Sequence, residues 1–229
     1  MNRVYENIAL VRQCVDSVKK QNVELVAVTK AFTYQNVLQA LECGIKHIGE
    51  SKIQEALPKF EQLGSSLNGI TKHFIGHLQS NKAKKAVENF DLIHSLDSIS
   101  LAKDISRHAR NAGKIQSCLI EVKVSKEETK TGIKPEDTRA FYSQCLEMPD
   151  ILIKGLMVIT PLSCNPEDSR PYFKQIYNLF TDIQKTFARN DFNILSMGMS
   201  DDYKIAVEEG SNMVRIGSAI FGNRNYGNK

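Results

Sequence analysis

The sequence predicts an α/β fold, a single (β/α)8 TIM-type barrel with an extra helix at its N-terminus, and three observations lead there. Short apolar runs of β type alternate with amphipathic helical stretches until eight strands have been counted, a pattern that implies parallel strands joined by right-handed crossovers. The length of 229 residues suits a closed barrel of this kind, which typically takes about 250 residues. The rival, an open doubly wound sheet, calls for a glycine fingerprint after the first strand, and Thr29, Lys30, Ala31 and Phe32 stand there instead.

Taken in order, residues 1–21 carry Val4, Ile8, Val11, Val15 and Val18 at spacings of three and four, the stripe of an amphipathic helix ahead of the first strand. The first strand is the run 25–30, apolar until it ends in Lys30. The helix 33–43 carries Val37, Leu38 and Leu41 and stops at Gly44, a residue suited to the left-handed helix cap. Strand 45–50 leads into a helix over 51–62, strand 72–76 into a helix over 80–89, and strand 91–95 into a helix over 98–112 closed by Gly113. Strand 117–124 then precedes helix 135–146, and strand 153–159 precedes the long helix 166–188. A short strand ending near Met197, a helix over 201–209 and a last strand over 213–216 complete the alternation. No linker or low-complexity stretch divides the chain, so one domain over 1–229 is expected.

The composition, 41% apolar and 24% charged, is that of an ordinary soluble protein, and no apolar run approaches the roughly 20 residues of a membrane span. The first residues lack the charged lead and apolar core of a secretory leader. Five cysteines, odd in number and without a C-x-x-C pair, point to reduced thiols in a cytoplasmic compartment. The net charge of +4 is spread along the chain. Lys82, Lys84 and Lys85 cluster without interleaved aromatic residues, so a solvated helix face is expected and no nucleic-acid partner.

In a barrel the residues that end the strands converge on one active face. Lys30 is the first of them, an amine that enclosing loops can desolvate toward Schiff-base chemistry, although most such lysines simply open a loop. Gly198 and Ser200 follow the seventh strand, and Gly217 and Ser218 the eighth. They stand where barrels commonly hold a phosphate on exposed backbone N–H groups, and tight turns account for the glycines equally well. Arg215, inside the mouth, is either half of a structural ion pair or a donor to a heteroaromatic ring nitrogen. His73 and His77 straddle a strand and a turn, so they do not share a face as zinc ligands would, and no metal is expected. His47, His94 and His108 read as core or surface residues, and Asp201 and Asp202 as helix-capping carboxylates.

Beyond spacing, whole blocks are specific: Val28-Thr29-Lys30, Ile48-Gly49-Glu50, residues 73–82 from His73 to Lys82, and 129–133 from Thr129 to Ile133. Gly155-Leu156-Met157, residues 195–200 and residues 214–222 complete the set. Together they resemble the pyridoxal 5'-phosphate homeostasis protein family, the YggS/PROSC type, over essentially the full chain. The resemblance implies a barrel similar to the N-terminal domain of alanine racemase, with pyridoxal 5'-phosphate (PLP) held as an aldimine on Lys30. It further implies that Ser200, Gly217 and Ser218 hold the phosphate and that Arg215 faces the pyridine nitrogen. The chain departs from the family at Ser51 and Lys123, where asparagine is usual.

An arginine beside the ring nitrogen leaves the ring a weak electron sink, so strong carbanion chemistry is not expected. The expected function is therefore intracellular PLP storage, buffering or delivery, with PLP-dependent apoenzymes as candidate recipients and Lys82 or Lys130 as candidate second amines for release. No catalytic residues are assigned. A PLP-dependent amino-acid racemase is the alternative, but such enzymes complete their site with a second domain and a partner subunit that this chain is expected to lack. A cofactor-free Schiff-base aldolase would leave Arg215 without a role. A monomer is expected.

Overall fold

A computed structural model of the chain describes residues 3–125 and 131–222. Eight parallel strands close into a barrel in sequence order, β1 (Glu24–Val28), β2 (His47–Glu50), β3 (Thr71–Phe74), β4 (Leu92–Leu96), β5 (Gln116–Val122), β6 (Ile151–Val158), β7 (Ile194–Ser196) and β8 (Met213–Ile216). β8 closes on β1 through the register Leu25 to Val214 and Ala27 to Ile216. The expected (β/α)8 barrel is therefore the fold.

The helices are α1 (Arg3–Val18), α2 (Tyr34–Glu42), α3 (Ile53–Leu63), α4 (Ala83–Asn89), α5 (Ile99–Asn111), α6 (Thr138–Cys145), α7 (Arg170–Phe187), α8 (Tyr203–Glu208) and α9 (Ser218–Phe221). α1 buries the stripe Val4, Ile8, Val11 and Val15 against α2, α8 and α9. Ser98 caps α5 by accepting from the Leu101 N–H, and Gly113 takes φ +62° at its other end. α4, α6 and α7 each begin with a short 3-10 turn, and the four-residue α9 has no counterpart in the sequence reading.

Alternation across each strand sorts the core. Outward residues such as Ala27, Ile48, Ile93, Ile120 and Leu195 pack under the helices. The lumen holds a smaller apolar group, Val26, Leu92, Leu119, Met157 and Met213. Between β5 and β6 the register shifts after Cys118, opposite Gly155. A Cβ on Gly155 would lie 1.7 Å from the Ile194 carbonyl oxygen, so only glycine allows the strands to approach as they do.

Candidate functional site

The first strand stops two residues short of Lys30. Thr29 still donates its N–H to Gly49 O at 2.9 Å, which carries the ladder past Val28. The Thr29 hydroxyl donates to Glu50 Oε1 at 2.7 Å, and Lys59 Nζ donates to both Glu50 Oε1 (2.5 Å) and Thr29 O (2.7 Å). Glu50 is fully buried and the Lys59 side chain nearly so. Thr29 is thus gripped by side chain and carbonyl together. Lys30 follows half-buried, and Ala31 then turns the chain at φ +65°, a conformation non-glycine residues seldom adopt. Sequence reading missed this clamp, although Lys59 falls on the buried stripe of α3 with Ile53, Ala56 and Leu63.

The ends of β7 and β8 meet beside this turn. Gly198 takes φ +96°, and a Cβ there would come 2.6 Å from that of Ala206, so the turn itself requires glycine. Asp202 Oδ1 accepts from the Met199 N–H at 2.7 Å, while its Oδ2 accepts from the Thr160 hydroxyl at 2.9 Å. The expected helix cap is not what Asp202 provides. It ties the 198–200 loop to the end of β6, because its side chain turns back to the loop rather than onto α8. Ser200 Oγ accepts from the N–H groups of Gly217 (3.3 Å) and Ala219 (3.2 Å), and Gly217 lies against Val28 of β1. Ser200 and Gly217 therefore share one corner with the end of β1 that leads to Lys30; Ser218 opens α9 there and is exposed.

Arg215 is 4% exposed. Its Nη1 donates to Ser196 O (2.8 Å) and Ser196 Oγ (2.7 Å), and its Nη2 donates to Val158 O (2.8 Å). Burial pushes the guanidinium down to about 10, against the opposing charges of Asp202 and Glu121. Of the two expected alternatives, the structural ion pair is not what it makes: among the described residues its direct partners are oxygens of the barrel wall. Glu121, also at the mouth, is raised by burial and by Asp97, and lowered by Arg215.

On the β5 and β6 side the mouth opens into a cavity of about 360 Å³ lined by Glu121, Lys123, Ser125, Thr131, Thr160 and Leu162 among others. Of the two departures from the family, Lys123 lines this cavity. Ser51 underlies Gly76, whose Cβ would meet the Ser51 carbonyl oxygen at 2.2 Å. Thr129 and Lys130 lie outside the described residues.

The histidines depart most from the sequence reading. His47 and His94, expected as single core or surface residues, are instead joined through His73: the three occupy inward positions on adjacent strands and bond to one another through the lumen. His77 goes elsewhere, to an exposed contact with Asp97 at 3.4 Å. The signal was present in the sequence, since a histidine recurs on each of three successive strands.

Residues 1–225 match the family described as "Alanine racemase, N-terminal domain", so the fold is of that class. Alanine racemase from Streptomyces coelicolor shares the fold at TM-score 0.71, with 16% identity over 96% of this chain and 58% of that one. Much nearer are the pyridoxal phosphate homeostasis proteins of Aquifex aeolicus, 38% identical over 99% of this chain and 97% of the relative, and of Escherichia coli, 31% identical over the whole of both. The chain belongs to the pyridoxal phosphate homeostasis protein family. PipY of Synechococcus elongatus superposes with TM-score 0.88 at 36% identity, over 96% of this chain and 100% of that one, and has also been solved with PLP bound, at TM-score 0.86.

Proposed function

We propose that this chain binds PLP at the C-terminal mouth of its barrel and serves intracellular PLP homeostasis by storing, buffering or delivering the cofactor, without strong catalysis. The observation that carries this reading is the PLP-bound structure of PipY, a 36% identical relative covered over its full length. The residues here fit the group chemically. An amine, a hydroxyl, the backbone N–H groups of Gly217 and Ala219 on Ser200 Oγ, and a buried guanidinium make the strand-end residues rich in donors, suited to a phosphorylated aldehyde.

When bound, PLP supplies an aldehyde for reversible bonding to an amine and an electron-withdrawing ring. Lys30 is the attachment point, its position set by the Thr29 clamp on one side and the Ala31 turn on the other. Ser200, Gly217 and Ser218 hold the phosphate, with Ser200 Oγ giving up its present N–H partners or sharing them. Arg215 donates toward the ring. Even lowered to about 10 it keeps its proton at neutral pH, so it orients a ligand without acidifying it. The chain acts as a single domain and a monomer in the cytoplasm, and release to PLP-dependent apoenzymes passes through a second amine, for which Lys82 and Lys130 are candidates.

The racemase alternative gains one feature from the structure, the carboxyl of Glu121 at the mouth with its proton affinity raised by burial. A base in that position is what α-proton exchange requires.

The test is the visible absorption spectrum of the purified protein with and without Lys30→Ala, before and after borohydride. A yellow band that depends on Lys30 and is fixed by reduction is expected. A protein that stays colourless after incubation with PLP overturns the cofactor reading, and loss of α-deuterium from free alanine would favour the racemase.

A further inference from the structure

The lumen carries a line of hydrogen bonds that neither attachment nor phosphate holding uses. Glu24 Oε2 lies 3.1 Å from His47 Nε2, and His47 Nδ1 lies 3.0 Å from His73 Nε2. His73 Nδ1 is 2.8 Å from His94 Nε2, His94 Nδ1 is 3.2 Å from Ser196 Oγ, and Ser196 Oγ is 2.7 Å from Arg215 Nη1. The line climbs from the first residues of β1 and β2 through β3 to β4. It then crosses the lumen to β7 and ends on β8 at the mouth.

Its two ends fix its direction. A guanidinium only donates and a carboxylate only accepts. Arg215 therefore gives a hydrogen to Ser196 Oγ, and Glu24 takes one from His47 Nε2. With one proton on each ring, His47 Nδ1 is then bare and accepts from His73 Nε2, His73 Nδ1 accepts from His94 Nε2, and His94 Nδ1 takes the hydrogen of the Ser196 hydroxyl. For singly protonated rings this one arrangement satisfies every contact, and turning one imidazole around sets two N–H groups or two lone pairs face to face. Each interior ring holds one proton only, because burial drives His73 down to about 3 and His94 well below its ordinary value.

Arg215 explains what such a line does. Among the described residues no carboxylate forms a direct ion pair with this buried cation, and bare burial of a charge is strongly unfavourable. Aligned polar bonds polarise one another. Three imidazoles pointing the same way, backed by the Glu24 carboxylate, stabilise the guanidinium from behind. Its charge is left unneutralised toward the mouth, and it has more donors than its three wall contacts use.

We propose that Ser196, His94, His73 and His47 form a proton-ordered chain that positions Arg215 as a buried, charge-retaining donor toward a ligand in the barrel mouth. The ligand half of this statement rests on the PLP reading; the order of the chain does not.

The test therefore has two arms. In the ligand-free protein labelled with 15N-histidine, long-range 1H–15N correlation at pH 7 is expected to show His47, His73 and His94 all protonated on Nε2 with a bare Nδ1. Any of the three found protonated on Nδ1, or on both nitrogens, overturns the chain. In the second arm PLP is titrated into Ser196→Ala, Ser196→Thr, Arg215→Lys and the Ser196→Ala/Arg215→Lys double variant. Thermal melts are run on all four to confirm folding. Ser196→Ala is expected to weaken PLP binding about tenfold and shift the visible band, Ser196→Thr to restore both, and the double variant to be no worse than Arg215→Lys alone. Independent, multiplying losses would overturn the positioning role. Absence of PLP uptake by the unsubstituted protein removes the ligand half alone, and the tautomer pattern still upholds or overturns the chain.

Discussion

Thr29, Glu50 and Lys59 show how the position of Lys30 is set by a clamp on the residue before it. The Glu50–Lys59 pair lies under α3, with Glu50 Oε1 serving Lys59 and Thr29 while Oε2 has no hydrogen-bond partner among the described residues. A buried pair of this kind is strongly destabilising to break from one side. Lys59→Met is expected to lower unfolding free energy by about 3–5 kcal/mol, read from urea midpoints, because it strands the Glu50 carboxylate. The double variant Glu50→Leu/Lys59→Met is expected to regain most of that stability while loosening the turn at Lys30, read as weaker PLP uptake. A double variant as unstable as the single one would show that the clamp also supports the fold by other contacts. The Val28-Thr29-Lys30 block pointed to the lysine. Nothing in it pointed to Lys59, because a lysine on an apolar helix stripe reads as a surface side chain until its partner strand is known.

At the scale of elements, strand and helix order was legible because apolar periodicity switches between two and about 3.6 residues along the chain. Boundaries moved by one to four residues where backbone bonding, not side-chain pattern, decides the end. β8 kept its expected limits, whereas β2 begins at His47, since Ile45 gives its N–H to Ala40 O at the end of α2 instead. The pairing of β6 with β5 and β7 depends on Gly155, which takes φ +151° at the register shift. Gly155→Ala is expected to destabilise the barrel by about 3 kcal/mol or more, seen as a fall in the thermal midpoint, since the new Cβ meets backbone that cannot yield without moving β7. An unchanged midpoint would mean that β6 slides in register to make room. In the sequence that glycine is one of thirteen and opens the Gly155-Leu156-Met157 block, but nothing in the block shows that β7 lies against it.

For the whole molecule, a lumen lined in part by histidines has a consequence for acid stability. His73 is held near 3 by burial, against an ordinary value of 6.5, so below pH 6.5 the unfolded chain takes up a proton that the folded chain refuses. Stability therefore rises with pH across this window, is fully present above 6.5, and is lost progressively as pH falls toward 3. Urea midpoints taken between pH 7 and 4 are expected to fall by an amount worth several kcal/mol, with His94 adding to the effect in the same direction. A flat profile would mean that the rings take up protons as readily in the folded chain as in the unfolded one. The same chain without a tertiary structure gives no hint of this, because a histidine's proton affinity depends on what surrounds it. No helix among the described residues is long and apolar enough to cross a membrane, which agrees with the absence of a long apolar run. The sequence by itself determined the barrel, the strand-end positions of Lys30, Ser200, Arg215 and Gly217, and the family, because periodicity and motif blocks are local properties of the chain. Only the tertiary structure decided which side chains face one another: the grip of Lys59 on Thr29, the tie from Thr160 to Asp202, and the line from Glu24 to Arg215. These are contacts between residues distant in sequence, and the packing of strands and helices into the barrel is what brings them within hydrogen-bonding distance.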